Sequence, residues 1–166
     1  EAQLAELGSQ LGADIPFLLL DAPKALAWGH GDRMLKLPAL PQKHIALVIP
    51  EFGVGTPEVF GSLGLEEFRH PGQLSVDDLT RWERIAELAG NDLGTSPVIR
   101  SRTQLADSLA ALRAAGAIMA EMTGSGSVVF GIFESEPDAG GLEAATGCRV
   151  VLTRTALNVE APRRLD

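Results

Sequence analysis

The chain has 166 residues, 45% of them hydrophobic, and a formal net charge of −8. That is enough apolar material for a buried core, at a size of one domain or two small lobes. The acidic balance argues against a nucleic-acid partner, whose phosphates need a basic footprint, and the single cysteine, Cys148, excludes an internal disulfide.

No apolar run approaches the roughly 18 to 20 residues that span a bilayer, so no membrane partner is expected. A lone cysteine fits a reducing cytoplasm. The opening, Glu1 to Leu7, reads as the middle of an amphipathic helix without a cap. Further sequence upstream is therefore expected.

Leu4, Leu7 and Leu11 are spaced three and four apart, on one helix face. Gly8 weakens that helix and Gly12 can end it. Asp14 follows, just before Ile15 and Pro16; by spacing alone it fits a turn aspartate bonded to its own backbone. Phe17–Leu20 reads as a short strand, with Lys24–Trp28 paired to it. Gly29-His30-Gly31-Asp32 interrupts, and Arg33–Leu37 alternates again. Pro38 and Pro41 mark the boundary between residues 1–40 and 41–166.

The second part opens with a buried-type strand at His44–Ile49. Thr56-Pro57-Glu58 reads as a helix start, with Thr56 as cap. Residues 61–73 are glycine-rich and read as a mobile loop. Ser75-Val76-Asp77-Asp78 is a capping box onto a helix reaching Ala89. Pro97 to Ala115 reads as one long amphipathic helix closed by Gly116. Ala117–Met122 and Val128–Phe133 are strands, Asp138–Ala145 a helix and Arg149–Thr155 a last strand. The fold class predicted is α+β: a partial N-terminal lobe of short antiparallel strands plus a helix, then a ferredoxin-like split β-α-β domain.

Between two of those strands stands Thr123-Gly124-Ser125-Gly126-Ser127. Glycine allows positive φ and close backbone approach. Successive N–H groups in such a turn can hold an anion. A flexible strand–loop–strand turn explains the same residues.

Taken in order, Leu11-Gly12-Ala13-Asp14-Ile15-Pro16-Phe17, Ala25–Asp32, Thr56 with Phe60, Asn91-Asp92-Leu93 and Met122–Ser127 resemble the GHMP superfamily of small-molecule kinases. Within it they are similar to the branch that phosphorylates a cytidine-diphosphate-linked sugar alcohol on the non-mevalonate route to isoprenoid precursors. The resemblance implies ATP as co-substrate, with Mg2+ carried on it and no protein metal site in this chain. It implies Asp14 as catalytic base. It implies Gly29, His30, Gly31, Thr56 and Phe60 as substrate-binding residues, the Phe60 ring stacking on the base. Thr123, Gly124, Ser125, Gly126 and Ser127 would lie close to the phosphates. Asp32 departs from the glutamate usual in the family.

Residues 1–40 would be the remnant of the family's N-terminal lobe and 41–166 its C-terminal domain. The family's upstream phosphate loop and lysine are not in this sequence. The chain therefore resembles the C-terminal half of such a kinase, inactive alone, with the N-terminal half of the same enzyme as its partner. Asn91 and Asp92 are expected to support the site as a turn or cap. Two other readings stay open. One is a homoserine- or mevalonate-type kinase. The other is a non-catalytic domain that associates through an exposed face, for instance as a homodimer.

Overall fold

A computed structural model of the chain describes residues 2–31, 33–64 and 75–159. Asp32, His70 and most of the glycine-rich stretch at 61–73 thus lie outside the described residues. The described residues up to Gln42, with those from Ala156 onward, form one compact unit, and Lys43–Thr155 form a second. Both units mix helix and strand, each with one antiparallel sheet, as the α+β reading expects.

In the first unit, α1 (Ala2–Leu11) is followed by α2 (Ile15–Leu18). Gly8 is buried where the two meet. A Cβ there would come within 3.0 Å of both Ile15 Cγ2 and Leu19 Cδ1, so glycine sets how closely the helices pack. The strand expected at Phe17–Leu20 is instead the end of α2, Phe17 and Leu18, and the turn at Leu19 and Leu20 that closes it. Pro16 occupies the start of α2, where its missing N–H costs nothing, and Leu18 and Leu19 N–H donate to the Asp14 and Ile15 carbonyls. A four-residue apolar run carries no period that could separate strand from helix.

The partner of β1 (Lys24–Trp28) is therefore β2 (Arg33–Leu37), in antiparallel register from Lys24↔Leu37 to Trp28↔Arg33. Lys36 of β2 pairs with Asp21, and this bond holds the Asp21 carboxyl below the usual carboxylate range. At the hairpin turn Gly29 and Gly31 have φ of 70° and 78°. Gly31 also lies against the Ala13 peptide, where a Cβ would stand 2.2 Å from the Ala13 carbonyl oxygen.

The second unit carries β3 (His44–Ile49), α3 (Thr56–Gly61), α4 (Trp82–Leu88), α5 (Pro97–Arg100), α6 (Thr103–Ala114), β4 (Met119–Met122), β5 (Val129–Phe133), α7 (Ala139–Thr146) and β6 (Arg149–Arg154). The sheet order is β4-β5-β3-β6, every neighbour antiparallel. β5 therefore splits β3 from β4, which is the ferredoxin-like arrangement. Across the sheet, Ala120, Gly131 and Ala46 stand in register as a row of small residues. α6 packs over β4 and β5, and Leu112 approaches that row so closely that a Cβ on Gly131 would lie 3.0 Å from Leu112 Cδ2. Leu112 is fully buried in the core with Val48, Val59 and Val129. Truncating such a side chain costs about 2–5 kcal/mol.

Two expected helices are broken, for one reason. Thr80 donates its hydroxyl to the Asp77 carbonyl at 2.7 Å, and Ser101 donates to the Val98 carbonyl at 2.8 Å. Each hydroxyl takes the carbonyl that a continuing α-helix would offer to the next N–H. The capping box at Ser75 and Asp78 forms, but it opens a 3-10 turn at Val76–Thr80; Arg81 is then extended and α4 starts afresh at Trp82. Arg102 N–H likewise bonds Ile99 in place of Val98, and α6 begins at Thr103. Thr56 does not cap α3. Gly55 is its N-cap, and the Thr56 hydroxyl bonds elsewhere.

Two substitutions test this packing. Gly31→Ala combines a positive-φ position with a backbone clash, so it should lower stability by about 1–3 kcal/mol in thermal melts. Ser108, in α6, is fully buried and its hydroxyl has no hydrogen-bond partner. Ser108→Ala should raise stability by about 1 kcal/mol, because it removes an orphaned buried polar group and favours helix.

Candidate active site

The first unit contains a hollow of about 480 Å³. Asp14, Phe17, Trp28, His30 and Met34 line it, together with Gly29 and Gly31 of the hairpin turn. Four residues singled out from sequence, Asp14, Gly29, His30 and Gly31, are thus brought to one place. The close approach of Gly31 to Ala13 is what seats the turn beside Asp14. Asp14 directly precedes α2, yet its side chain makes no cap bond to that helix. The turn-aspartate reading, in which the carboxylate would bond its own backbone, does not hold. The exposed carboxylate is left to the hollow, whose walls are largely aromatic and aliphatic.

The second unit builds the glycine loop between β4 and β5. Thr123 N–H donates to the Val128 carbonyl at 3.0 Å, and Gly126 N–H donates to the Thr123 carbonyl at 3.1 Å. Gly124 and Gly126 have φ of 56° and 88°. They serve differently. A Cβ on Gly126 would strike Met122 Sδ at 2.7 Å, whereas one on Gly124 would meet nothing within 4 Å. Gly126 is needed for close packing, and Gly124 for backbone freedom beside open space.

Two side chains, of Asn91 and Thr56, and one backbone carbonyl, of Phe52, hold the loop from outside. Asn91 Nδ2 donates to the Gly124 carbonyl at 2.7 Å and to the Met122 carbonyl at 2.9 Å, while Asn91 Oδ1 accepts from Leu93 N–H at 3.0 Å. The hydroxyls of Thr56 and Ser125 are 2.7 Å apart. The Ser127 hydroxyl donates to the Phe52 carbonyl. Among the described residues, the N–H groups of Gly124 and Ser125 find no acceptor. Two adjacent backbone donors are thereby left available at a polar loop, the arrangement that accommodates an anion.

Thr56 and Phe60 lie four residues apart on α3, on one helix face. Phe60 is 53% exposed, so it is not a core residue. Arg102 was not singled out from sequence. Its guanidinium stands 5.5 Å over the ring of Phe52, the residue whose carbonyl receives Ser127. Nothing local in the sequence links Phe52, Arg102 and Ser127; only the fold does. No three His, Cys, Asp or Glu side chains group into a metal-binding set among the described residues, and no described helix is long and apolar enough to cross a membrane.

Residues 69–147 match the family described as GHMP kinases C terminal. The 4-diphosphocytidyl-2-C-methyl-D-erythritol kinase of Ruegeria pomeroyi is 40% identical over 141 residues, covering 81% of this chain and 48% of that protein. The kinase of the same name from Paracoccus denitrificans is 39% identical over 135 residues, 78% of this chain and 47% of its own length. A crystal structure of 4-(cytidine 5'-diphospho)-2C-methyl-D-erythritol kinase superposes with a TM-score of 0.68 at 32% identity, over 91% of this chain and 56% of that one. A homoserine kinase from Cytophaga hutchinsonii, 16% identical with a TM-score of 0.57, shares the fold. The chain spans about half the length of the curated relatives it matches, and it carries the C-terminal domain of the GHMP kinases.

Proposed function

We propose that the protein carrying this chain is an ATP-dependent kinase that phosphorylates a hydroxyl of 4-diphosphocytidyl-2-C-methyl-D-erythritol. The observation that carries this reading is Asp14, a carboxylate without a capping role at the edge of a hollow. The names of the relatives at 39–40% identity support the choice of acceptor.

Asp14 accepts the proton of the acceptor hydroxyl as that oxygen bonds the γ-phosphorus. The bond from the γ-phosphorus to the bridging oxygen breaks, and ADP leaves. Positioning and charge stabilisation carry most of such a reaction. The free N–H groups of Gly124 and Ser125 suit the phosphate charge. Thr56 and the exposed ring of Phe60, in the second unit, suit the cytidine end; in the first unit the backbone of Gly29, His30 and Gly31 suits substrate binding. Mg2+ enters with the nucleotide in this reading, and no step requires a metal ligand from this chain.

Exposed Leu7, Leu11 and Leu18, on α1 and α2, favour a second statement about the chain in isolation. Apolar side chains left in water favour association. In the complete protein we assign the cover of these residues to the rest of the polypeptide.

In the complete protein, Asp14→Asn should lower kcat by about 10²- to 10⁴-fold with an unchanged melting temperature. Full activity in this variant would remove Asp14 from the mechanism. Wild-type preference for homoserine or mevalonate over the cytidine-linked acceptor would reassign the substrate. The purified 166-residue chain should turn over no ATP and should sediment above monomer mass. Turnover by this chain, or a strict monomer, would contradict the corresponding half of that statement.

A further inference from the structure

We infer that Asn91 is a positioning residue: by holding the Gly124 carbonyl it aims the Ser125 N–H at the anion the glycine loop receives. The inference rests on the kinase reading for the identity of that anion, a nucleotide or substrate phosphate, but not for the geometry.

In a trans peptide the C=O and the N–H of one unit point in opposite directions. The Gly124 carbonyl and the Ser125 N–H belong to one such unit. With the carbonyl held 2.7 Å from Asn91 Nδ2, the Ser125 N–H must face away from Asn91. The preceding unit is fixed likewise, because the Thr123 carbonyl accepts from Gly126 N–H. That leaves Gly124 N–H as the second outward donor.

Gly124 cannot enforce this orientation itself. It sits at φ 56° with open space around it, and glycine permits the alternative peptide orientation at little cost. Ser125 cannot enforce it through its side chain, since its hydroxyl is paired with Thr56. The external hold is Asn91. Its own side chain is fixed by three bonds at once: to Gly124, to Met122 at the end of β4, and from Leu93. An aspartate would keep the bond from Leu93 N–H but would set a second oxygen against two carbonyl oxygens. The peptide would then be repelled where it is now held.

The test uses the complete protein carrying this chain, labelled with 15N and titrated with inorganic pyrophosphate. In the wild type the Ser125 amide resonance should move on binding. Asn91→Asp should abolish that movement and weaken pyrophosphate binding by about tenfold or more, the order of one lost charge-assisted hydrogen bond. Asn91→Ala loses the Leu93 bond as well, so a merely structural role makes it worse than Asn91→Asp in both melting temperature and affinity. The positioning role predicts a split: Asn91→Asp melts higher yet binds pyrophosphate more weakly. If Asn91→Asp fails to fold, the Ser125 response and affinity of Asn91→Ala decide, and loss of both is expected. A Ser125 amide that stays still in the wild type, or wild-type affinity in the variants, overturns the inference. Phosphoryl transfer measured alongside separates the two readings. No wild-type turnover with the Ser125 response intact removes the kinase and leaves Asn91 its role. Turnover by Asn91→Asp at wild-type kcat/KM for ATP removes that role and leaves the kinase.

Discussion

One carboxamide fixes the backbone of the glycine loop. Asn91 Nδ2 spans the carbonyls of Met122 and Gly124, and its oxygen caps the turn that begins at Asp92. An unheld loop with two positive-φ glycines samples several peptide orientations, and most of them scatter its donors. Two more contacts complete the hold, the Thr56–Ser125 hydroxyl pair and the Ser127 bond to Phe52. All three anchors come from outside the loop. Its donors are therefore set in place by packing before any ligand arrives, which is the condition for electrostatic preorganisation.

The first unit uses a different constraint to the same end. There the backbone of Gly31 touches the Ala13 peptide, and no side chain can intervene. Close backbone approach at Gly31 sets the hairpin turn beside Asp14. Toward the other end of the hairpin, the ion pair of Asp21 with Lys36 ties the segment after α2 to β2. The hollow thus depends on one glycine whose role is to be small, as the loop of the second unit depends on one asparagine whose role is to donate twice.

Much of this was legible in the sequence, and the exceptions share a cause. The strands of the second unit, the capping box at Ser75, the turn at Gly29–Gly31 and the turn that Asn91 caps follow from residues a few positions apart. Phe17–Leu20 is one exception, because a run that short has no measurable period. The breaks at Arg81 and Arg102 are the others, because apolar spacing does not register a hydroxyl. Thr80 and Ser101 each take one carbonyl and end a helix that the pattern would carry on.

The sequence by itself determined the local chemistry: where glycine permits positive φ, where proline starts a helix, and in what order the chemistry-bearing residues occur. These are interactions within a turn or two, and the chain encodes them wherever it folds. Tertiary structure alone decided which groups meet across the chain. Asn91 finds carbonyls 31 and 33 positions away, Thr56 meets a hydroxyl 69 positions away, and Ser127 bonds a carbonyl 75 positions away. Contacts at such separations carry no periodicity and no local propensity. They exist only after the β4-β5-β3-β6 sheet has brought distant segments to one end of its strands.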